Sequence, residues 1–327
     1  MKYSIETYKD NIALINVDNE KGLKATLVSF GAGVYELSFN DHPVILTLKE
    51  IDDYLYSSQY YGKTLGTVAG RLKKDGLIDG NEYHLIPESG QNFALHGGML
   101  KSISYKNWDY KIKESNKKLD VIFSITTRNN EGGYPGKVRI YVTYSFLKDK
   151  DEFKIFYKAT TPSEAVFCNL SNHMYFNFDT HDISDYYLKM NVDQVAITEP
   201  NLLIVDKEKV PAHLDFNKAA KLNKRMDYIE KHDFKKTIDD TFIFSSMPGK
   251  ITLQNADVKL DITTDCSSLN IYVDNSLTPI NFKAHDDYSL RRGIALEPQR
   301  FILNKDEIIL HKGEVYKNYI DYKFKAR

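Results

Sequence analysis

From Val138 to Phe146 the chain alternates without a break: Val138, Ile140, Val142, Tyr144 and Phe146 on one parity, Arg139, Tyr141, Thr143 and Ser145 on the other. Successive side chains of an extended chain point to opposite faces, so this segment is a strand with one buried face. A helix would instead repeat its apolar positions every three or four residues. A second run follows, with Phe153, Ile155 and Tyr157 set against Lys154, Phe156 and Lys158, and the polar Lys148-Asp149-Lys150-Asp151 between the two suits a hairpin loop. Antiparallel pairing is the consequence.

Further strands are predicted at 35–40, 119–127, 258–263 and 269–273, each close to a Gly, Pro, Asn or Asp cluster. The 23 tyrosines and 17 phenylalanines suit a pleated, half-buried surface. Helical signal is thin: 217–231 is the best candidate, and its charges predict a solvated surface helix at most. Neither a linker nor a fixed-period repeat divides the chain, so residues 1–327 are expected to form one large all-β domain, an antiparallel sandwich.

Charge narrows the partners. With 44 Lys and Arg against 45 Asp and Glu, the formal charge of -1 offers no footprint for nucleic acid or an anionic membrane surface. Cys168 and Cys266 sit in neither a CxxC nor a zinc-type spacing, and the histidines show no HExxH pattern, so no disulfide framework and no metal are expected. The polar N-terminus and the lack of a membrane-length apolar run predict a cytoplasmic protein acting on small molecules.

Candidate chemistry gathers in a few short blocks. Asn172-His173-Met174-Tyr175-Phe176-Asn177 sets an imidazole among aromatics and carboxamides. A lone histidine is more often a satisfied core residue than a catalyst, so a partner is needed. Leu95-His96-Gly97-Gly98 places a second histidine before two glycines, where backbone or ligand can approach closely. Ala295-Leu296-Glu297-Pro298-Gln299 puts a carboxylate after an apolar run, where burial would raise its pKa toward that of a general base, with Pro298 expected to end the strand. In Asp239-Asp240 only one acid can face a site, since neighbours on a strand point apart. Gly70-Arg71 supplies a guanidinium suited to hydroxyl or carboxylate recognition. Gly62-Lys63-Thr64 resembles the end of a phosphate loop, but Ser57 stands where the first Gly should, so it is discounted.

Taken in order with Glu131-Gly132-Gly133-Tyr134-Pro135-Gly136, these blocks resemble the aldose 1-epimerase (galactose mutarotase) family along nearly the whole chain. The resemblance implies a large β-sandwich with a sugar groove and interconversion of the α and β anomers of a free aldose, without a cofactor. It implies Glu297 as general base at the C1 hydroxyl, His173 as general acid at the ring oxygen and His96 as a hydrogen-bonding partner near that oxygen. Arg71, Asp239, Asn92 and Tyr175 would contact the rest of the sugar. Where the family often carries Arg and Asn, this chain has Thr67 and Gly70, which puts the polar contacts of that rim in question and admits a disaccharide with a free reducing end.

Other functions compete. A glycoside hydrolase would pair Glu297 with Asp239 but leave both histidines idle. A phosphosugar epimerase would want a cationic pocket, and Thr67 argues mildly against one. A non-catalytic sugar binder has no use for an acid and base pair. A monosaccharide-sized substrate and a monomer or homodimer are expected.

Overall fold

A computed structural model describes residues 1–87, 90–275, 280–285 and 290–327. Three large antiparallel sheets dominate it. The nine-stranded sheet is built around the predicted hairpin: Arg139–Leu147 pairs with Glu152–Thr160, Arg139 opposite Thr160 and Phe146 opposite Phe153. Lys118–Thr126 lies on one side of the hairpin and the C-terminal strand Tyr316–Ala326 on the other, followed by Val258–Thr264. A five-stranded sheet runs in chain order from Lys2–Tyr8 to His42–Pro43 and includes the predicted strand at Gly33–Phe39.

The six-stranded sheet carries the chemistry. Its order is Tyr175–Phe176, Ile294–Gln299, Ser268–Val273, Asp239–Phe244, Val192–Thr198 and Ile204–Lys209. One continuous core joins the three sheets, with Ile15 and Leu27 from the first, Phe123, Tyr144 and Phe153 from the second, and Phe242, Ile271 and Leu296 from the third. Burying such side chains contributes about 1.5–3 kcal/mol each, enough to hold sheet against sheet. The bridge from Ile45 to Phe176 links the five- and six-stranded sheets edge to edge.

Two expectations are corrected. The helix spans Leu222–His232 and buries Leu222, Met226 and Ile229. Their spacing of four and three residues makes one apolar stripe, so the helix is amphipathic and docked, although its charges suggested solvation. The strand Ile294–Gln299 also continues through Pro298, which is paired opposite Leu269. On its other side Tyr175–Phe176 pairs only with Ile294 and Ala295, so no ladder bond from residue 298 is needed there. Cys168 and Cys266 are buried free thiols. Among the described residues, no helix is long and apolar enough to cross a membrane.

Candidate active site

Adjacent strands put alternate residues side by side. Asp239 lies opposite Tyr272, Thr241 opposite Asn270, Asn270 opposite Glu297, and Ser268 opposite Gln299. Period-two geometry turns one parity of each strand toward the core and the other outward. Asp239, Thr241, Asn270, Tyr272, Glu297 and Gln299 thereby floor a cavity of about 330 Å³. Arg71, His96, His173 and Tyr175 complete its walls together with Tyr60. A larger groove of about 620 Å³ lies on the five-stranded sheet and contains none of the predicted site residues.

Glu297 is 0% exposed. Its Oε1 accepts a hydrogen bond from Asn270 Nδ2 at 3.1 Å, and Asn270 Oδ1 in turn accepts one from Thr241 Oγ1 at 2.9 Å. Oε2 is buried without a hydrogen-bond partner. Burial pushes the carboxyl up to about 8, with Asn270 and Arg71 opposing the rise and Asp239 adding to it. A carboxyl that spends neutral pH close to its own pKa can take and return a proton readily.

His173 stands beside it, with Nε2 3.5 Å from Glu297 Oε1. The backbone on both sides of the imidazole is clamped: His173 N–H donates to Lys63 O at 3.0 Å, and Gly62 N–H donates to His173 O at 2.9 Å. Its ring packs 4.7 Å from Tyr175, 6.1 Å from Tyr60 and 5.3 Å from His96, centroid to centroid. Burial draws its pKa down to about 3. Desolvation penalises the charged form of acids and bases alike, so it raises the carboxyl and lowers the imidazole. At 3.5 Å the two groups are close enough for a proton to be shared between their roles in one reaction.

His96 accepts the Gly70 N–H at Nδ1, 3.1 Å away, so the neutral ring carries its proton on Nε2. Burial holds its pKa well below the usual histidine value, and His173 and Arg71 add to the effect. His96, His173 and Glu297 are the one set among the described residues whose potential ligand atoms all lie within 4.8 Å of one another. The Gly70 bond makes His96 a donor at Nε2, where a metal needs a lone pair, so these residues fit hydrogen bonding to a neutral ligand better than they fit a metal ion.

Arg71 Nη2 donates to Asp239 Oδ2 at 3.0 Å at the cavity edge, which tethers the guanidinium there. Asp240 faces away and pairs with the buried Lys235. The structure thus places Asp239 in the cavity and Asp240 behind it.

Other predicted positions fall differently. Asn92 is exposed and outside the cavity, because it lies beyond the short strand Phe93–Leu95 that pairs with Arg71–Lys73. Its carbonyl accepts from Lys74 N–H and its side-chain oxygen accepts from Asn201. Thr67 also misses the groove and lines a separate 20 Å³ hollow with Gly97, Ser102 and Glu131, so its departure from the family pattern opens no subsite. Glu131 pairs there with Lys106. Gly97 is approached by backbone: a Cβ would sit 2.0 Å from Gly66 O. The discounted Lys63 is fully buried and donates to Leu55 O at 3.0 Å, with its ammonium 3.8 Å from the Tyr105 ring centroid. Asn270, Thr241, Tyr272, Tyr60 and Gln299 were not anticipated. The parity of Ser268, Asn270 and Tyr272 against Leu269, Ile271 and Val273 was the available signal.

Known proteins resemble this chain in sequence and in fold. The sequence profile of the family described as Aldose 1-epimerase matches residues 13–323. The chain is 27% identical to the galactose mutarotase of Rattus norvegicus over 92% of its own length and 91% of the relative's. It is 27% identical to an aldose 1-epimerase of Haemophilus influenzae, covering 88% of this chain and 86% of the relative. The fold matches the crystal structure of galactose 1-epimerase from Lactobacillus acidophilus with a TM-score of 0.89 at 21% identity, covering 100% and 99% of the two chains.

Proposed function

The chain belongs to the aldose 1-epimerase family, and from that membership and the buried His173–Glu297 pair we propose that it interconverts the α and β anomers of a free aldose. The observation that carries the reading is the 3.5 Å separation of His173 Nε2 and Glu297 Oε1 inside a polar cavity. Anomer exchange takes a proton from one sugar oxygen and gives one to another, so it needs an acid and a base within reach of a single ring.

Glu297 takes the proton of the C1 hydroxyl as the C1 carbonyl forms. The bond from C1 to the ring oxygen breaks, its electron pair stays on that oxygen, and His173 delivers the proton. Rotation about C1–C2 presents the other carbonyl face, and closure with the two roles exchanged gives the opposite anomer. Each positioned proton transfer is worth about a hundred- to ten-thousandfold. His96, a donor at Nε2, would steady the ring oxygen, while Arg71 and Asp239 would hold hydroxyls away from C1.

The pair holds one proton throughout. Before ring opening it is Glu297 carboxylate with His173 imidazolium, and afterwards it is carboxylic acid with neutral imidazole. Burial favours the second state, as the raised Glu297 and lowered His173 values indicate, so it favours opening and opposes closure by the same amount. Sugar hydroxyls and the Asn270 donor must stabilise the charged state when substrate binds.

Polarimetry on freshly dissolved α-D-glucose, α-D-galactose and maltose tests the proposal. Purified protein should speed the relaxation of optical rotation for at least one of them, and an unchanged rate with all three would sink the reading. The free buried thiols support a reducing, cytoplasmic setting.

A further inference from the structure

We propose that Gln299 is a substrate-binding, specificity-determining residue that takes a sugar hydroxyl on the side of the ring away from C1, a role made available by the glycine at position 70. The inference rests on the mutarotase reading for the identity of its ligand. Glu297 and Gln299 share one strand and one parity, so both side chains face the cavity about 7 Å apart along the chain direction. A group that far from the base meets the part of a pyranose remote from the anomeric carbon.

Three observations point to a ligand. Gln299 is 2% exposed and lines the cavity. Its Oε1 is buried with no hydrogen-bond partner, an expensive condition that persists only where something else satisfies the atom. Finally, a Cβ at Gly70 would lie 3.4 Å from Gln299 Nε2 and 3.6 Å from Oε1, so any longer side chain there would cover the carboxamide. Gly70 also has φ +82°, which suits glycine and leaves its N–H free to serve His96. The bare backbone at 70 therefore keeps any side chain from standing between the carboxamide and the groove. Either end of it can meet a hydroxyl, which both donates and accepts.

A hydroxyl held away from the reacting centre is bound alike in ground and transition states, so its loss raises KM and leaves kcat alone. The experiment is Gln299→Met assayed by polarimetry on glucose and on 3-deoxy-, 4-deoxy- and 6-deoxyglucose. The expected result is KM raised about tenfold on glucose with kcat within about twofold, and no further loss with the one deoxysugar that lacks the partner hydroxyl. An unchanged KM, a loss confined to kcat, or an equal loss with every sugar would overturn the assignment. If Gln299→Met does not fold, Gln299→Asn withdraws the same carboxamide by one methylene and should show the same loss in KM; a folded Gln299→Asn with wild-type KM would overturn it. If the wild-type protein speeds no anomerisation, the activity reading fails separately. Calorimetric sugar affinity then decides Gln299 alone: about tenfold weaker binding by Gln299→Met supports it, and equal affinity removes it.

Discussion

Asn270 and Glu297 face each other across neighbouring strands, and the carboxamide donates to Oε1 at 3.1 Å. This bond is the main force opposing the rise of the Glu297 pKa. Asn270→Ala should therefore push that pKa further up and carry the alkaline limb of kcat/KM with it, alongside a fall in kcat. A pH profile of the variant checks this, and an unmoved limb would mean that Asn270 does not tune the base.

The His173–Glu297 unit is competent while it holds one proton. With Glu297 at about 8 and His173 at about 3, kcat/KM should be level from pH 5 to 7 and fall about tenfold per unit above pH 8. A profile that stays flat through pH 9 would exclude the pair as the source of catalysis.

Glu297→Gln should lose activity by at least about a hundredfold and gain stability. The folded pKa is raised from 4.5 to about 8, so between those values the folded chain keeps a proton that the unfolded chain releases. Stability from this group is therefore complete below pH 4.5 and declines as pH rises to 8, by on the order of a few kcal/mol in all. Urea unfolding should show the variant ahead of wild type at pH 8 and level with it near pH 4. Equal stability at both pH values would show that burial does not penalise the carboxylate.

Lys63 supplies the opposite sign. Burial draws its pKa from 10.5 to about 7, while the nearby faces of Tyr105, Tyr54 and Phe30 act the other way. Between pH 7 and 10.5 the unfolded chain binds a proton that the folded chain lacks, so stability from this group rises with pH. Lys63→Met should be more stable than wild type at pH 7, and the gain should shrink by pH 10. A gain that is the same at both would show an amine titrating normally.

How far the sequence discloses this site depends on the residue. The strand at Arg139–Leu147 was legible because one parity is wholly apolar, and a single buried face leaves no other conformation for it. Glu297 was legible as the one acid in an apolar run. Its neighbour Asn270 was not, because the functional parity of its strand carries Ser268, Asn270 and Tyr272, which look unremarkable until the partner strand fixes what lies opposite. Asn92 came in through family resemblance alone, and three residues of extended chain separate it from His96. Thr67 appeared to border the groove because it is close to Arg71 in sequence, yet its side chain turns into a hollow on the Glu131 side.

The shared register of Asp239–Phe244, Ser268–Val273 and Ile294–Gln299 has a consequence for how such a protein diversifies. Residues of one parity belong to the interior and those of the other to the ligand, so the floor can change apart from the core, with Thr241, Asn270 and Glu297 linked to one another by hydrogen bonds. A mutation at Thr241 or Gln299 can change what is recognised without disturbing Phe242 or Leu296 beneath. A one-residue insertion in any of the three strands would instead exchange interior and ligand faces at a stroke. New sugar preferences should therefore arise by substitution on these strands, with changes of length confined to the loops that join them.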